Sequence, residues 1–258
     1  MEQTTSLTLL VILGLARALP MQTDHPHAED YTERILTANQ GSDQLLMEGD
    51  LVVPRTRNAM VCMQGGNSCL WRKDSSGHVV VPYIIEDNRF SPSDRQKIKS
   101  ALLSFHDLTC VRFVPRGDQE DYISYESWRG CFSTLGRVGG RQTVSLNSAG
   151  CILNGIIQHE TLHALGFGHE HTRSDRDQYV TMNWSNIDPS DAVNFDKQIT
   201  NNLDSPYDYS SVMHYGNKAF SINGKETITT IPKPNMPIGQ RVSMSDSDIL
   251  RINELYNC

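Results

Sequence analysis

Residues 159–177 read HETLHALGFGHEHTRSDRD and hold four of the chain's nine histidines. No other feature restricts the chain so strongly. A surface helix has no need of such a cluster, so the spacing must serve whatever it brings together. On an α-helix, His159 and His163 are about 400° of rotation apart, which sets both imidazoles on one face one turn apart. Two such rings can reach one metal ion. Glu160 points to the side of that face, where its carboxylate can act on water at the metal but not easily bind the metal.

His169 becomes a third ligand only if the helix stops. Six residues past His163, a continuing helix would carry it to roughly the opposite side. Gly166 can take a positive φ, end the helix and turn the chain back, and Gly168 adds freedom beside the ligand. Three neutral imidazoles leave zinc one open position, the arrangement of a catalytic site, and zinc suits an all-nitrogen donor set. A bare H-E-x-x-H also occurs on helices that bind nothing. The spaced glycine and third histidine make the pattern far more restrictive.

The chain of 258 residues is long enough for a substantial core. Its net charge of -7 comes with no basic run, which argues against a nucleic-acid partner. Residues 7–15, LTLLVILGL, are too short to span a bilayer. With Ala16-Arg17-Ala18 after them they read as a signal peptide, residues 1–18, although the stretch before them carries Glu2 and no lysine or arginine. The alternative is a buried apolar strand. No later segment is long enough to cross a membrane, so a secreted product without a membrane anchor is expected. Six cysteines, Cys62, Cys69, Cys110, Cys131, Cys151 and Cys258, suggest three disulfides in an exported chain. Spacing does not choose among the pairings, and the absence of a CxxC pair argues against a cysteine zinc site.

Residues 21–57 contain no cysteine, one aromatic residue, and seven acidic against three basic groups, and they end in Pro54-Arg55-Thr56-Arg57. A trypsin-like enzyme could cut there, so 19–57 reads as a propeptide and 58–258 as the mature domain. The alternative is a flexible tail. Within the domain, 78–86 reads as a buried strand despite Pro82. Ser91-Pro92-Ser93-Asp94 opens a helix running to about His106. Strands are expected at 110–115, 121–125 and 142–147, and the central helix at 150–165. Residues 177–240 look loop-rich. A final helix at 243–256 is capped by Ser245 and carries Ile249, Ile252 and Leu255 on its apolar stripe. Strands and a helix followed by irregular structure suggest an α+β fold with two lobes. Asn183-Trp184-Ser185 is a glycosylation sequon whose tryptophan disfavours use.

The 159–177 run matches HExxHxxGFxHExxRxDRD at every fixed position, and Ser211-Val212-Met213-His214-Tyr215 matches SxMHY. The longer histidine pattern followed by a methionine turn is the metzincin signature. The chain therefore resembles the astacin-family metalloendopeptidases over essentially all of 58–258. The resemblance implies a two-lobed metzincin domain. Its N-terminal lobe would hold a twisted mixed sheet and the active-site helix, and its irregular C-terminal lobe would end in a helix. It implies His159, His163 and His169 as ligands of one Zn2+, Glu160 as general base and acid, and Met213 as an apolar base beneath the metal. Tyr215 would be a movable fifth ligand that aids the reacting oxygen. His171 and His214 match positions that are not ligands.

Met47-Glu48-Gly49-Asp50 resembles the family's latency motif F-x-G-D, with Met for Phe, so Asp50 would hold the metal in the zymogen. After cleavage at Arg57, the amine of Asn58 would pair with Glu170. The resemblance also implies the pairs Cys110–Cys258 and Cys131–Cys151. Cys62–Cys69 is similar to the extra bridge of the six-cysteine fish astacins, the group that includes the hatching enzymes (choriolysins). The implied protein is a secreted zinc endopeptidase acting on extracellular protein or peptide, with egg envelope as the favoured substrate. It is expected to be monomeric and activated by a trypsin-like protease. An extended substrate would add as a strand near residues 142–147. The rival readings are a non-hatching fish astacin of kidney, gut or brood tissue, and a catalytically silent binding protein on the same scaffold.

Overall fold

The computed structural model describes residues 31–53, 69–231 and 236–258. The expected signal peptide, Arg57, Asn58 and Cys62 lie outside the described residues. The elements in chain order are α1 (Tyr31–Asn39), β1 (Leu46–Met47), β2 (Leu51–Val52), β3 (Val79–Ile85), α2 (Pro92–Leu108), β4 (Val111–Pro115), β5 (Tyr122–Glu126), β6 (Cys131–Phe132), β7 (Arg141–Leu146), α3 (Asn154–Ala164), β8 (Val180–Met182), β9 (Ile228–Thr230) and α4 (Asp246–Tyr256).

Five strands form a mixed sheet in the order β4-β3-β5-β7-β6, parallel except for β6 against β7. Pro82 survives inside β3 because of register. Val79 donates to Cys110 O on the β4 side, whereas Val80 donates the other way, to Arg72 O. The missing N–H of Pro82 falls on the side of Val80, and pairing with β5 begins only at Tyr83. Ser91 caps α2, and Asp94 completes a capping box.

The central helix α3 begins at Asn154, four residues later than the pattern suggests. Residues 150 and 151 instead turn back on Asn147 O, and Cys151 is bonded to Cys131. The core of this lobe joins sheet, α2, α3 and α4 through Val81, Ile98, Phe105, Ile123, Ile157 and Ile252. A second cluster, with Val180, Phe195, Tyr207, Tyr215 and Ile228, supports the irregular lobe, whose small β8-β9 pair the loop-rich sequence concealed. Met213 belongs to the first cluster and Tyr215 to the second, so the methionine turn joins the lobes.

Residues 31–53 pack against the domain and are no loose tail. Asn39 donates to Cys131 O and Gly49 O, and Gly216 N–H donates to Thr32 Oγ1. The expected substrate edge also needs correction. Strand β7 is covered by β6 at Ser145 and Leu146, so 142–147 is not the rim of the sheet. The rim backbone is at Ser133, whose N–H donates to Asp50 O and whose carbonyl accepts from Val52 N–H. Cys110–Cys258 and Cys131–Cys151 are both formed, and Cys69 is also disulfide-bonded.

Candidate metal and catalytic site

Helix α3 brings His159, Glu160 and His163 into the interior between the lobes, all fully buried. Gly166, at φ 106°, ends the helix as expected, and Phe167 N–H returns to Leu162 O at 3.0 Å. Gly168 does not use a positive φ, so its expected freedom has no counterpart here. Trp71 Nε1 and Tyr256 OH donate to Ala164 O and Leu165 O, which satisfies carbonyls at the helix end. The reversal places His169 beside the helical pair.

Each imidazole is oriented through its Nδ1. His159 donates to Val212 O at 2.8 Å and His163 to Phe167 O at 2.7 Å. Carbonyls only accept, so those Nδ1 atoms carry the protons and the Nε2 lone pairs are available for a metal. His169 Nδ1 meets Glu48 Oε2 at 2.7 Å. The three Nε2 atoms surround the Asp50 carboxylate at 3.0, 3.5 and 3.2 Å for His159, His163 and His169. One donor atom from each of these four residues lies within 4.8 Å of every other. The Nε2 atoms of His159 and His163 are 3.1 Å apart, although neither carries a proton to share. Asp50 Oδ1, His169 Nε2 and both Glu160 oxygens are buried without hydrogen bonds among the described residues. Converging lone pairs and orphaned oxygens fit a cation, and three imidazoles with one carboxylate fit zinc.

The local charges agree with that assignment. Burial raises the Asp50 carboxyl, but the His169 charge, then the close approach of His159 and His163, outweigh it and hold the group well below the usual range. Burial, then the Arg241 charge, keep His159 neutral. Burial also lowers His163. Burial alone would lower His169, but Asp50 and Glu48 reverse it and push the group to about 9. Carboxylates that hold a proton on that ring would equally hold a cation beside it. Burial, then the Asp50 charge, raise Glu160 well above the ordinary carboxyl range.

Tyr215 is buried, with its ring edge-on to His169 at 4.8 Å and its hydroxyl donating to Glu48 O. Met213 is buried, and its carbonyl accepts from Glu170 N–H. Glu170 is engaged by Arg251 through both oxygens, at 2.6 and 2.9 Å, and by Arg173 and Asp208 N–H. Asn183 of the sequon donates to Glu226 O and Thr229 Oγ1. Sequence reasoning missed Glu48. Its side chain is 4% exposed and also accepts from Gln198 Nε2. The one available signal was its place next to Gly49, which at φ 77° turns Glu48 and Asp50 onto two sides of His169.

The fold and the histidine cluster define a zinc-dependent metalloendopeptidase. Residues 69–257 match the peptidase family described as Astacin. The chain is 53% identical over 266 residues to high choriolytic enzyme 1 of Oryzias latipes, covering 98% of this chain and 97% of that protein. It is 51% identical over 237 residues to the low choriolytic enzyme of the same fish, covering 92% and 87%. The solved structure of high choriolytic enzyme 1, described as a hatching enzyme zinc-protease from medaka, superposes with a TM-score of 0.73 at 56% identity. That match covers 75% of this chain and 97% of that one. The chain belongs to the astacin family.

Proposed function

We propose that the protein is exported as a zymogen in which residues 19–57 silence the zinc site, and that its mature form digests egg envelope. The observation that carries latency is Asp50 seated among the three Nε2 atoms. Residues 50–52 also occupy the sheet rim at Ser133, where an extended substrate would otherwise pair. The egg-envelope reading is supported by the 51–53% identity to choriolytic enzymes. No helix among the described residues is long and apolar enough to cross a membrane, and the disulfides support an oxidising destination.

In this reading a trypsin-like protease cuts after Arg57 and Asp50 leaves, and His159, His163 and His169 would hold the zinc. When bound, zinc supplies a Lewis acid that acidifies water and polarises the scissile carbonyl. Glu160 takes the proton and passes it to the leaving amine. Its buried carboxylate, one residue from the His159 ligand, suits that exchange. Tyr215, released from Glu48 O, donates to the developing oxyanion, while Met213 packs beneath the histidines. The new amine of Asn58 enters a cavity of about 500 Å³ lined by Val53, Phe167, Glu170 and Arg251 and joins the Glu170 cluster. The mature protein acts as a monomer.

The test is cleavage of purified egg envelope and of casein by protein trimmed to Asn58, with and without a zinc chelator. Chelator-sensitive cleavage of both is expected. Cleavage of casein alone would remove the hatching role and favour an astacin of kidney, gut or brood tissue. Glu160→Gln should retain zinc and lose about 10²- to 10⁴-fold in kcat. Full activity in that variant would sink the mechanism.

A further inference from the structure

We infer that His171 is a positioning residue for Tyr215, an inference that rests on the reading of Tyr215 as a donor to the reacting oxygen. His171 is fully buried, and its ring lies face to face with Tyr215, centroids 3.7 Å apart and planes 29° from parallel. Phe195 closes the cluster, edge-on to His171 at 5.7 Å and to Tyr215 at 6.1 Å. His171 is only two residues beyond His169 and sits 5.5 Å from its ring. The turn that supplies a metal ligand therefore also supplies the surface on which the tyrosine rests.

The imidazole is held from both ends. Its Nε2 donates to Asn194 O at 3.1 Å. Its backbone carbonyl accepts from Arg176 Nη1, which also donates to Phe195 O. Position 171 is thereby tied to the turn Ala192–Phe195 that presents Phe195. The remaining nitrogen, Nδ1, is buried without a hydrogen bond among the described residues. A flat ring clamped this way leaves the phenol free to slide in its own plane and resists motion across it. When Glu48 O no longer accepts from Tyr215, the stack keeps the hydroxyl on course for the reacting oxygen.

The experiment measures kcat and KM of the zinc-loaded, trimmed enzyme on a quenched fluorescent peptide for H171L, H171F, Y215F and the H171L/Y215F pair. H171L should lower kcat about ten-fold with KM nearly constant, as expected for a misplaced donor. H171F, which keeps the stack, should recover most of that loss and remains readable if H171L does not fold. In the Y215F background H171L should change kcat less than about two-fold, because the two residues act as one unit. Equal losses in both backgrounds, a change confined to KM, or no recovery with H171F would overturn the inference and leave the tyrosine reading intact. Unchanged kcat in Y215F would remove the tyrosine reading and the inference together.

Discussion

Two carboxylates of the leading segment, one on each side of Gly49, grip one histidine from opposite sides. Asp50 faces Nε2 of His169 and Glu48 faces Nδ1. Asp50 lies against the Nε2 atoms of all three histidines, whereas Glu48 meets the far side of one ring, and Gln198 donates to Glu48 in turn. Their substitutions should therefore differ in degree. Asp50→Ala in the uncut chain should give chelator-sensitive peptidase activity without cleavage at Arg57. Glu48→Gln loses a charge-assisted hydrogen bond and should raise residual activity about 10- to 100-fold while keeping most of the latency. Assaying uncut chain, with cleavage checked by mass, separates the two. Equal release by both substitutions would show that Asp50 has no special place at the metal.

Among the elements, α2 and β4 show how a local pattern is completed by a contact the pattern does not contain. Sequence marks the start of α2 through Ser91 and Asp94, and the helix runs to Leu108. What ties its end to the sheet is His106, whose Nε2 accepts from Phe113 N–H at 2.8 Å. Burial, then the Arg112 charge, lower its pKa below the ordinary 6.5. Below 6.5 the unfolded chain takes up protons more readily than the folded one. The stabilisation is complete above 6.5 and is lost as pH falls through the depressed folded value. His106→Leu should cost about 1 kcal/mol at pH 8 by urea unfolding, and the gap to the parent should narrow at acid pH. A constant gap would mean that the hydrogen bond does not depend on the proton.

For the whole molecule, Cys110–Cys258 fastens the end of the chain to the start of β4 across a separation of 148 residues. Closing so long a loop restricts the unfolded chain strongly. Replacing both cysteines by serine should lower stability by about 2–5 kcal/mol in urea unfolding. The site geometry is formed by α3 and the methionine turn, so peptidase activity at 25 °C should persist. Loss of zinc from the folded variant would contradict that separation.

The sequence by itself determined the ligand turn, because His159 and His163 are set by helical pitch and His169 by a glycine next to the helix end. It also determined the strands with continuous or alternating apolar residues and the two capped helices, since those signals are local. Only the tertiary structure decided that β6 covers β7, that α1 docks on the domain, that α3 starts late, and that Glu48 and His171 serve the site. Each of those depends on partners far along the chain: Glu48 is 121 positions from His169, and Tyr215 meets His171 across the gap between a ligand turn and a methionine turn. Periodicity reports how a segment buries its own face. It carries no information on which distant backbone or ring completes the contact, because that is fixed when the two lobes pack around the metal site.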